Sequence, residues 1–159
     1  MRIGASFVMI SLGVLLSACM GTPGVVKTGV PGFETVMGKE WHLVELRGGT
    51  GIGFSRDPID PEFTGVYTLE FQDGMVFGRG APNIFRASFE QGRDQSLGIK
   101  PGATTLMAPF REPEGLTERD YFGYLERVYR WNISDGALEL YTKNDRGEDA
   151  VLVYRLPGS

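Results

Sequence analysis

The side chains of this sequence that could do chemistry are one histidine, one cysteine and three clusters of carboxylates. A hydrolase needs a nucleophile, a base and a group that orients the base. His42 is the only histidine, the side chain that most simply serves as a base at neutral pH. It stands beside Trp41 in a hydrophobic segment, no Gly-x-Ser-x-Gly motif occurs, and no serine or cysteine is its neighbour in sequence. We interpret His42 as a hydrogen-bonded or solvent-facing strand residue, and we predict no catalytic residue.

The carboxylate clusters have the composition of polar loops. The first two contain prolines, and the third lacks the alternating ligand spacing of a calcium loop. A transition-metal site is not expected, because histidine and cysteine ligands are missing. We predict solvated surface at all three clusters and no cofactor, with calcium at the third as the alternative. The clusters are Asp57, Asp60 and Glu62; Glu112, Glu114 and Glu118; and Asp145, Glu148 and Asp149.

A hydrophobic segment precedes the single cysteine. Ile3 to Leu15 is mostly apolar, follows Arg2 and leads to the small residues Ser17 and Ala18, which is the composition of a secretory signal. As a helix this segment would reach roughly 20 Å, short of the roughly 30 Å hydrocarbon core of a bilayer. We therefore predict a cleaved signal peptide over residues 1–18 rather than a membrane span.

Residues 16–19, Leu-Ser-Ala-Cys, resemble the bacterial lipobox, in which the cysteine is acylated and becomes the first residue of the mature protein. The resemblance implies that Cys19 carries the lipid, with acyl chains such as palmitate, and several chains give a stable anchor. Met20 follows the cysteine, whereas retention in the inner membrane usually requires Asp there. We predict an outer membrane lipoprotein whose domain faces the periplasm. An ordinary signal peptide with a free Cys19 is the alternative.

Charge and composition indicate one acidic domain with many turns. The formal net charge is −4, and loss of Arg2 makes it one unit more negative. Without a cluster of Lys and Arg, nucleic acid is not an expected partner, and neither is a membrane surface bound through basic residues. The 23 glycines among 159 residues favour short strands joined by turns.

The chain divides into a glycine-rich start and a region of alternating hydrophobicity. Met20 to Gly38 has five glycines, two prolines and no period. We predict a lipidated N-terminus and flexible tether over residues 19–39 and one β-rich domain over residues 40–159. Period-two alternation between turn signals such as Asp-Gly predicts short strands. They cover residues 41–46, 66–71, 75–77, 84–89, 97–99, 104–107, 129–133, 138–141 and 150–156.

One helix interrupts this series. Thr117 with Asp120 forms a variant of the capping box. The apolar residues that follow recur at helical spacing and predict one buried stripe: Tyr121, Phe122, Leu125 and Val128. The charged residues are expected to face solvent: Glu118, Arg119, Glu126 and Arg127. Seven or eight short strands and one helix predict a mainly β (α+β) domain, a small antiparallel β-barrel or half-barrel with the helix packed on it.

Several segments in this order resemble the META domain family, whose best-known bacterial members are HslJ-like heat-shock lipoproteins. They are Trp41-x-Leu43, Phe71-x-x-Gly74-x-Val76-x-Gly78, Asn83, Ala87-Ser88, Leu97-x-Ile99, Thr105-x-Met107-Ala108, Leu125 and Tyr129-x-x-x-Ile133-x-x-Gly136-x-Leu138-x-Leu140. The resemblance covers about residues 40 to 156. It implies structural roles for the motif positions Trp41, Gly74, Gly78, Asn83, Thr105 and Met107.

Two cysteines common in the family are prolines here, Pro82 and Pro109. If these cysteines form a disulfide in relatives, their joint loss leaves no stranded thiol and forgoes a cross-link worth typically about 2–4 kcal/mol. The same pairing implies that the Cα atoms of Pro82 and Pro109 lie less than about 7 Å apart.

The resemblance implies an envelope or secreted protein linked to stress tolerance and drug sensitivity. We expect a non-catalytic periplasmic domain that supports envelope integrity by binding an unidentified envelope protein. A carrier or secretion-pilot-like protein, holding an acyl chain or a partner helix in a part-open barrel, is the alternative, and an enzyme is the third hypothesis. An enclosed cavity of several hundred Å³ would favour the carrier, and a packed interior the binding module.

Overall fold

The computed structural model describes residues 32–48, 53–56, 63, 65–108 and 111–158. Eight strands and one α-helix follow a short 3-10 helix, Phe33–Thr35: β1 (Trp41–Gly48), β2 (Thr68–Gln72), β3 (Met75–Arg79), β4 (Ile84–Gln91), β5 (Leu97–Thr104), α1 (Glu118–Glu126), β6 (Arg130–Ser134), β7 (Ala137–Lys143) and β8 (Asp149–Arg155). None of the helices in these ranges has the length and apolar character needed to cross a membrane. Cys19, the predicted signal peptide, the first carboxylate cluster and Pro109 lie outside the described residues.

The strands form one antiparallel sheet in the order β5-β4-β3-β2-β1-β8-β7-β6, curled into a half-barrel. The two outer strands meet at one point, where the Leu97 N–H donates to the Tyr129 carbonyl (3.1 Å) and the Trp131 N–H donates to the Gln95 carbonyl (2.9 Å). We call this the closed end. Helix α1, which joins β5 to β6, packs against β5 and β7 and covers the remaining gap. The predicted fold class is therefore confirmed.

The two hairpin turns that the Asp-Gly pairs predicted are present in the structure. Asp73 and Gly74 have φ values of +50° and +78°, and Asp135 and Gly136 have +50° and +73°. Positive φ at both central residues is the type I′ geometry, whose twist matches that of the flanking strands. These turns fix the registers of β2 with β3 and of β6 with β7, as predicted.

The folded domain begins earlier than the sequence analysis predicted. Phe33 and Val36 are 4% and 0% exposed and belong to the hydrophobic core. The Trp41 indole N–H donates to the Val36 carbonyl at 2.9 Å, which ties this segment to β1. The prediction that a tether continues to residue 39 is thus wrong for Phe33 and Val36, because their burial outweighs the local density of glycine.

The region predicted as two short strands, 97–99 and 104–107, contains one strand that ends at Thr104. The pair Pro101-Gly102 suggested a break, but β5 is an outer strand, where a missing N–H donor is tolerated. The pairing of β4 with β5 shifts register between Arg86 and Ser88 and accommodates the irregular segment. Residues 105–107 form no strand. Hydrogen bonds with the side chain of Asn83 hold Thr105 and Met107 instead.

Candidate functional site

The side chain of Asn83 joins the start of β4 to the segment that follows β5. Its Oδ1 accepts hydrogen bonds from Thr105 Oγ1 (2.8 Å) and from the Met107 N–H (2.7 Å). Its Nδ2 donates to the Met107 carbonyl at 2.9 Å. Asn83 is buried whereas Thr105 and Met107 are exposed, so these bonds lie at the edge of the interior. Three motif positions that lie far apart in sequence, Asn83, Thr105 and Met107, are thereby brought together.

Glu118, the first residue of α1, completes this arrangement from the other side. Its carboxylate is buried and accepts three hydrogen bonds, from the Ala81 N–H (2.6 Å), the Asn83 N–H (2.7 Å) and Asn83 Nδ2 (2.6 Å). All three donors are neutral amides, and these hydrogen bonds offset the cost of burying the polar carboxylate. A Cβ atom at Gly80 would lie 2.3 Å from Glu118 Oε1, so glycine leaves room for the carboxylate. We call Asn83, Thr105, Met107 and Glu118 the clamp, and this end of the half-barrel the clamp end.

The sequence analysis placed Glu118 on the solvent-facing side of α1, and this prediction is wrong. Residues three and four positions apart share a helix face. Glu118 therefore lies on the face of Tyr121 and Phe122, and its 7% exposure follows from that spacing. The spacing of Glu118 from Tyr121 and Phe122 predicts that it is buried, but the sequence analysis assigned it to the solvent-facing side because it is charged. The predicted cap is confirmed, because Thr117 Oγ1 accepts from the Asp120 N–H at 3.1 Å.

The clamp holds Thr105 and Met107, and Leu106, which lies between them, is exposed to solvent. Leu106 is 94% exposed, and the Met107 side chain is 52% exposed although both its backbone groups are bonded to Asn83. Thr105 is fixed as well, because its N–H donates to the Ile84 carbonyl at 3.1 Å and its Oγ1 accepts from the Ile84 N–H at 3.2 Å. The side chains of Leu106 and Met107 are thus exposed to solvent, while hydrogen bonds hold Thr105 and the backbone of Met107 in place.

The other motif positions shape the fold. Trp41 is buried at the start of β1, and Gly74 has the positive φ of a hairpin turn. A Cβ atom at Gly78 would lie 2.1 Å from the Thr68 carbonyl oxygen and 2.5 Å from the Phe85 ring. Gly78 therefore lets the Phe85 ring lie flat against β3. Pro109 is outside the described residues, so its predicted proximity to Pro82 stays a prediction.

His42 is half-buried in β1, where its Nε2 lies 2.7 Å from Glu40 Oε1. The interpretation of His42 as a hydrogen-bonded strand residue is confirmed. Its partners across the sheet are Thr68 and Arg155. The contact with Glu40 occupies the ring nitrogen that would otherwise be available to a substrate.

Three tyrosines form a buried polar group that the sequence analysis did not identify. Tyr67 Oη donates to the Leu116 carbonyl (2.7 Å), Tyr154 Oη to Tyr121 Oη (3.3 Å), and Tyr121 Oη to the Thr68 carbonyl (3.4 Å). Burial raises the pKa of all three hydroxyls. They remain neutral at physiological pH and connect strands and helix rather than serving as bases.

Arg56 is a buried positively charged residue near the three tyrosines. Its Nη1 and Nη2 donate to the Phe63 carbonyl (3.3 Å) and the Val66 carbonyl (2.6 Å), and burial lowers the pKa of the guanidinium. Its isolated position among loop residues in the sequence gave no periodic signal of burial. The hydrogen bonds of Arg56 close the loop that precedes β2.

The carboxylate clusters are only partly the solvated surface that was predicted. Glu112 Oε1 accepts from the Glu118 N–H at 2.7 Å, so the second cluster supports the start of α1. In the third cluster, Asp145 and Asp149 are exposed and pair with Arg127 (2.6 Å) and Lys143 (2.7 Å). Within the described ranges, no three His, Cys, Asp or Glu side chains are grouped so that they could hold a metal ion.

The interior of the half-barrel is filled with side chains. Buried aliphatic and aromatic residues from all eight strands and α1 form one continuous core. Depressions occur at the surface: one of about 90 Å³ between α1 and β5, one of about 260 Å³ on the outer face of β2–β4, and one of about 290 Å³ near the start of α1. All three open to solvent. None of them is the enclosed lumen of several hundred Å³ that a carrier would need.

A half-barrel of eight antiparallel strands, closed by one helix and locked by a buried carboxylate, defines a small β-rich module of one domain. The sequence profile of the META domain matches residues 34–154. The chain therefore belongs to the META domain family, which confirms the resemblance seen in its motifs.

Two solved structures share this fold. A protein from Burkholderia xenovorans, solved by NMR, has 18% identity and a TM-score of 0.54, over 79% of this chain and 86% of that one. A DUF4847 family protein from Bacteroides vulgatus has 13% identity and a TM-score of 0.50, over 77% of this chain and 95% of that one. At these identities the likeness concerns the fold alone. No curated protein matches the sequence.

Proposed function

We propose that this chain is a non-catalytic module of the bacterial envelope. It is held in the outer membrane by a lipid on Cys19, faces the periplasm, and supports envelope integrity or stress tolerance by binding another envelope protein. The observation that carries this proposal is the filled interior of the half-barrel, because a module without a lumen must act through its surface. Membership of the META domain family and the lipobox-like sequence support the place of action.

The chemistry of the described residues also favours binding over catalysis. A base needs a nucleophile within hydrogen-bond reach, and the Nε2 of His42 is engaged by Glu40. The buried tyrosines have raised pKa values, and the Glu118 carboxylate already accepts three hydrogen bonds. The buried carboxylate of Glu118 and the three buried tyrosine hydroxyls therefore all form hydrogen bonds within the structure.

The carrier remains the alternative, and the volumes of the surface depressions bear on it. The apolar depression between α1 and β5 has a volume of about 90 Å³, and the other two depressions have volumes of about 260 Å³ and 290 Å³. Pockets for small ligands usually hold roughly 300–1,000 Å³. All three depressions are open to solvent and smaller than this range, which favours binding of a protein at the surface over enclosure of a long acyl chain.

The proposal is tested by complementing a deletion strain with Cys19→Ala and His42→Gln, scoring envelope-stress survival and membrane fractionation. Cys19→Ala should release the protein or leave it uncleaved at the inner membrane, because the acylated side chain is missing. His42→Gln should stay anchored and restore survival. Unchanged outer-membrane flotation of Cys19→Ala would refute the anchor. Loss of survival with a folded, anchored His42→Gln protein would favour an enzyme.

A further inference from the structure

Most of the large apolar side chains that the described residues expose lie on one side of the clamp. Leu106 (94% exposed), Ile84 (53%), Met107 (52%) and Phe77 (42%) are four of five such residues, and Tyr129 is the fifth. Hydrogen bonds between Thr105 and Ile84 bring the loop of Leu106 against the start of β4. We call these four residues the apolar patch.

The patch continues from the loop onto the outer face of the sheet. Phe77 on β3 pairs with Arg86, two residues from Ile84 on β4, so Phe77 and Ile84 are diagonal neighbours on one face. Both line the open depression of about 260 Å³, which is large enough to receive a partner's side chain. Single apolar residues on a surface are ordinary, but a contiguous exposed group indicates an interaction site.

Two arginines give the patch its charge. Arg79 lies directly opposite Ile84, and Arg86 directly opposite Phe77. Both are exposed, and neither forms an ion pair with another residue that the structure describes. Two carboxylates, Glu40 and Glu70, line the side of the depression remote from Leu106, where Glu70 on β2 lies directly opposite Phe77. A partner that covers the apolar residues therefore meets two guanidinium groups, which bind carboxylates in bidentate geometry.

We propose that the apolar patch, with Arg79 and Arg86, is the surface through which this chain binds its partner protein, and that the partner segment combines apolar side chains with carboxylates. This deepens the proposed function and rests on it. The clamp fixes the position of this surface, because the backbone of Leu106 and Met107 is already held by hydrogen bonds and loses little freedom when a partner binds.

The patch lies at the end of the half-barrel opposite to the start of the described chain. The described chain begins at the closed end, where the Phe33 ring lies 5.4 Å from the Phe89 ring. Ile84, at the other end of β4, is five residues away, about 17 Å along the strand. The occupant is a protein because the proposed function requires one, and an anionic bilayer and a second copy of the chain are outcomes of the test.

The test is photocrosslinking in cells, with benzoylphenylalanine in place of Leu106 in the full chain and, as the control, in place of Tyr129. We expect one adduct with another protein from position 106 and none from position 129. The double variant Arg79→Glu/Arg86→Glu should lower the yield about tenfold or more, because it removes both charge-assisted contacts. Arg79→Lys/Arg86→Lys, the matched control, should retain clearly more of the yield than the charge reversal, because it keeps the positive charge and loses only the bidentate geometry.

Each other outcome overturns the assignment. An adduct that persists at full yield after charge reversal, an adduct between two copies of the chain, or binding of the purified protein to phosphatidylglycerol vesicles that weakens after charge reversal would contradict an acidic protein partner. Thermal melting and fractionation of each variant show that it is folded and anchored. If position 106 gives no adduct while His42→Gln still restores survival, the surface is wrong and the proposed function stands. If deletion of the chain causes no envelope defect, the proposed function fails.

Discussion

The two ends of the half-barrel are held by different kinds of contact. At the closed end the Phe33 ring meets three other rings, with centroid distances of 4.9 Å to Trp131, 5.1 Å to Phe71 and 5.4 Å to Phe89. At the clamp end three amide N–H groups converge on one carboxylate, that of Glu118, at 2.6–2.7 Å.

Because the contacts differ, the closed end and the clamp end contribute differently to the stability of the domain and to the position of Leu106. Apolar packing contributes in proportion to the area removed from water and tolerates side chains of similar volume. Hydrogen bonds contribute less net free energy but constrain distance and angle. We infer that the closed end supplies more of the free energy of unfolding, and that the clamp determines where Leu106 stands.

The largest effect is expected from Phe33→Ala. The substitution removes a buried ring from a cluster of aromatic residues and should lower the free energy of unfolding by about 3–5 kcal/mol. Denaturant unfolding of the purified protein measures it. Glu34→Ala, an exposed neighbour, is the control and should change stability by less than about 0.5 kcal/mol. Equal values for the two would show that the closed end does not depend on the segment before β1.

Leu125→Ala tests the helix that joins the two ends. Leu125 is 3% exposed, so its truncation should destabilise the domain by about 2–5 kcal/mol. Glu126→Ala, at the exposed neighbouring position, should cost less than about 0.5 kcal/mol. Thermal melts of both variants decide between the two faces, and matching melting temperatures would mean that the buried face of α1 is misassigned.

Glu118→Gln should have the smallest effect on stability and the clearest effect on position. The new amide places an N–H₂ group among three N–H donors, so one of them loses its acceptor, at a cost of about 1–3 kcal/mol. Hydrogen exchange of the Met107 amide should quicken, because the bond that protects it depends on the orientation of Asn83. Glu126→Gln is the control. Unchanged exchange at Met107 would show that the loop is held without Glu118.

Sequence patterns predicted most of the fold because strands and hairpins depend on local chemistry. Alternating residues such as Phe85, Ala87 and Phe89 mark the inner face of β4, and Asp-Gly pairs mark the turns. The family motifs identified Asn83, Thr105 and Met107 without indicating what joins them. Asn83 bonds both Thr105 and Met107, and Asn83 is itself held by Glu118, a contact that becomes apparent only when the chain is folded.

The errors have a physical pattern as well. Phe33 was assigned to a tether because glycines and prolines surround it, yet burial of one ring outweighs the entropy of its neighbours. Residues 104–107 alternate like a strand, but Asn83 supplies the hydrogen bonds that a neighbouring strand would supply. Long-range side-chain contacts of this kind leave no periodic trace in a sequence.

The strand order also bears on how the chain folds. β1 lies in the middle of the sheet, between β2 and β8, and its bond to β8 joins His42 to Arg155, more than a hundred residues later. Closing so long a loop carries the largest entropic cost of any pairing in the sheet. Without β8, the parts β5-β4-β3-β2-β1 and β7-β6 meet only at the closed end and through α1. A truncation before Asp149 would therefore leave the two parts of the sheet without the strand that pairs with both of them.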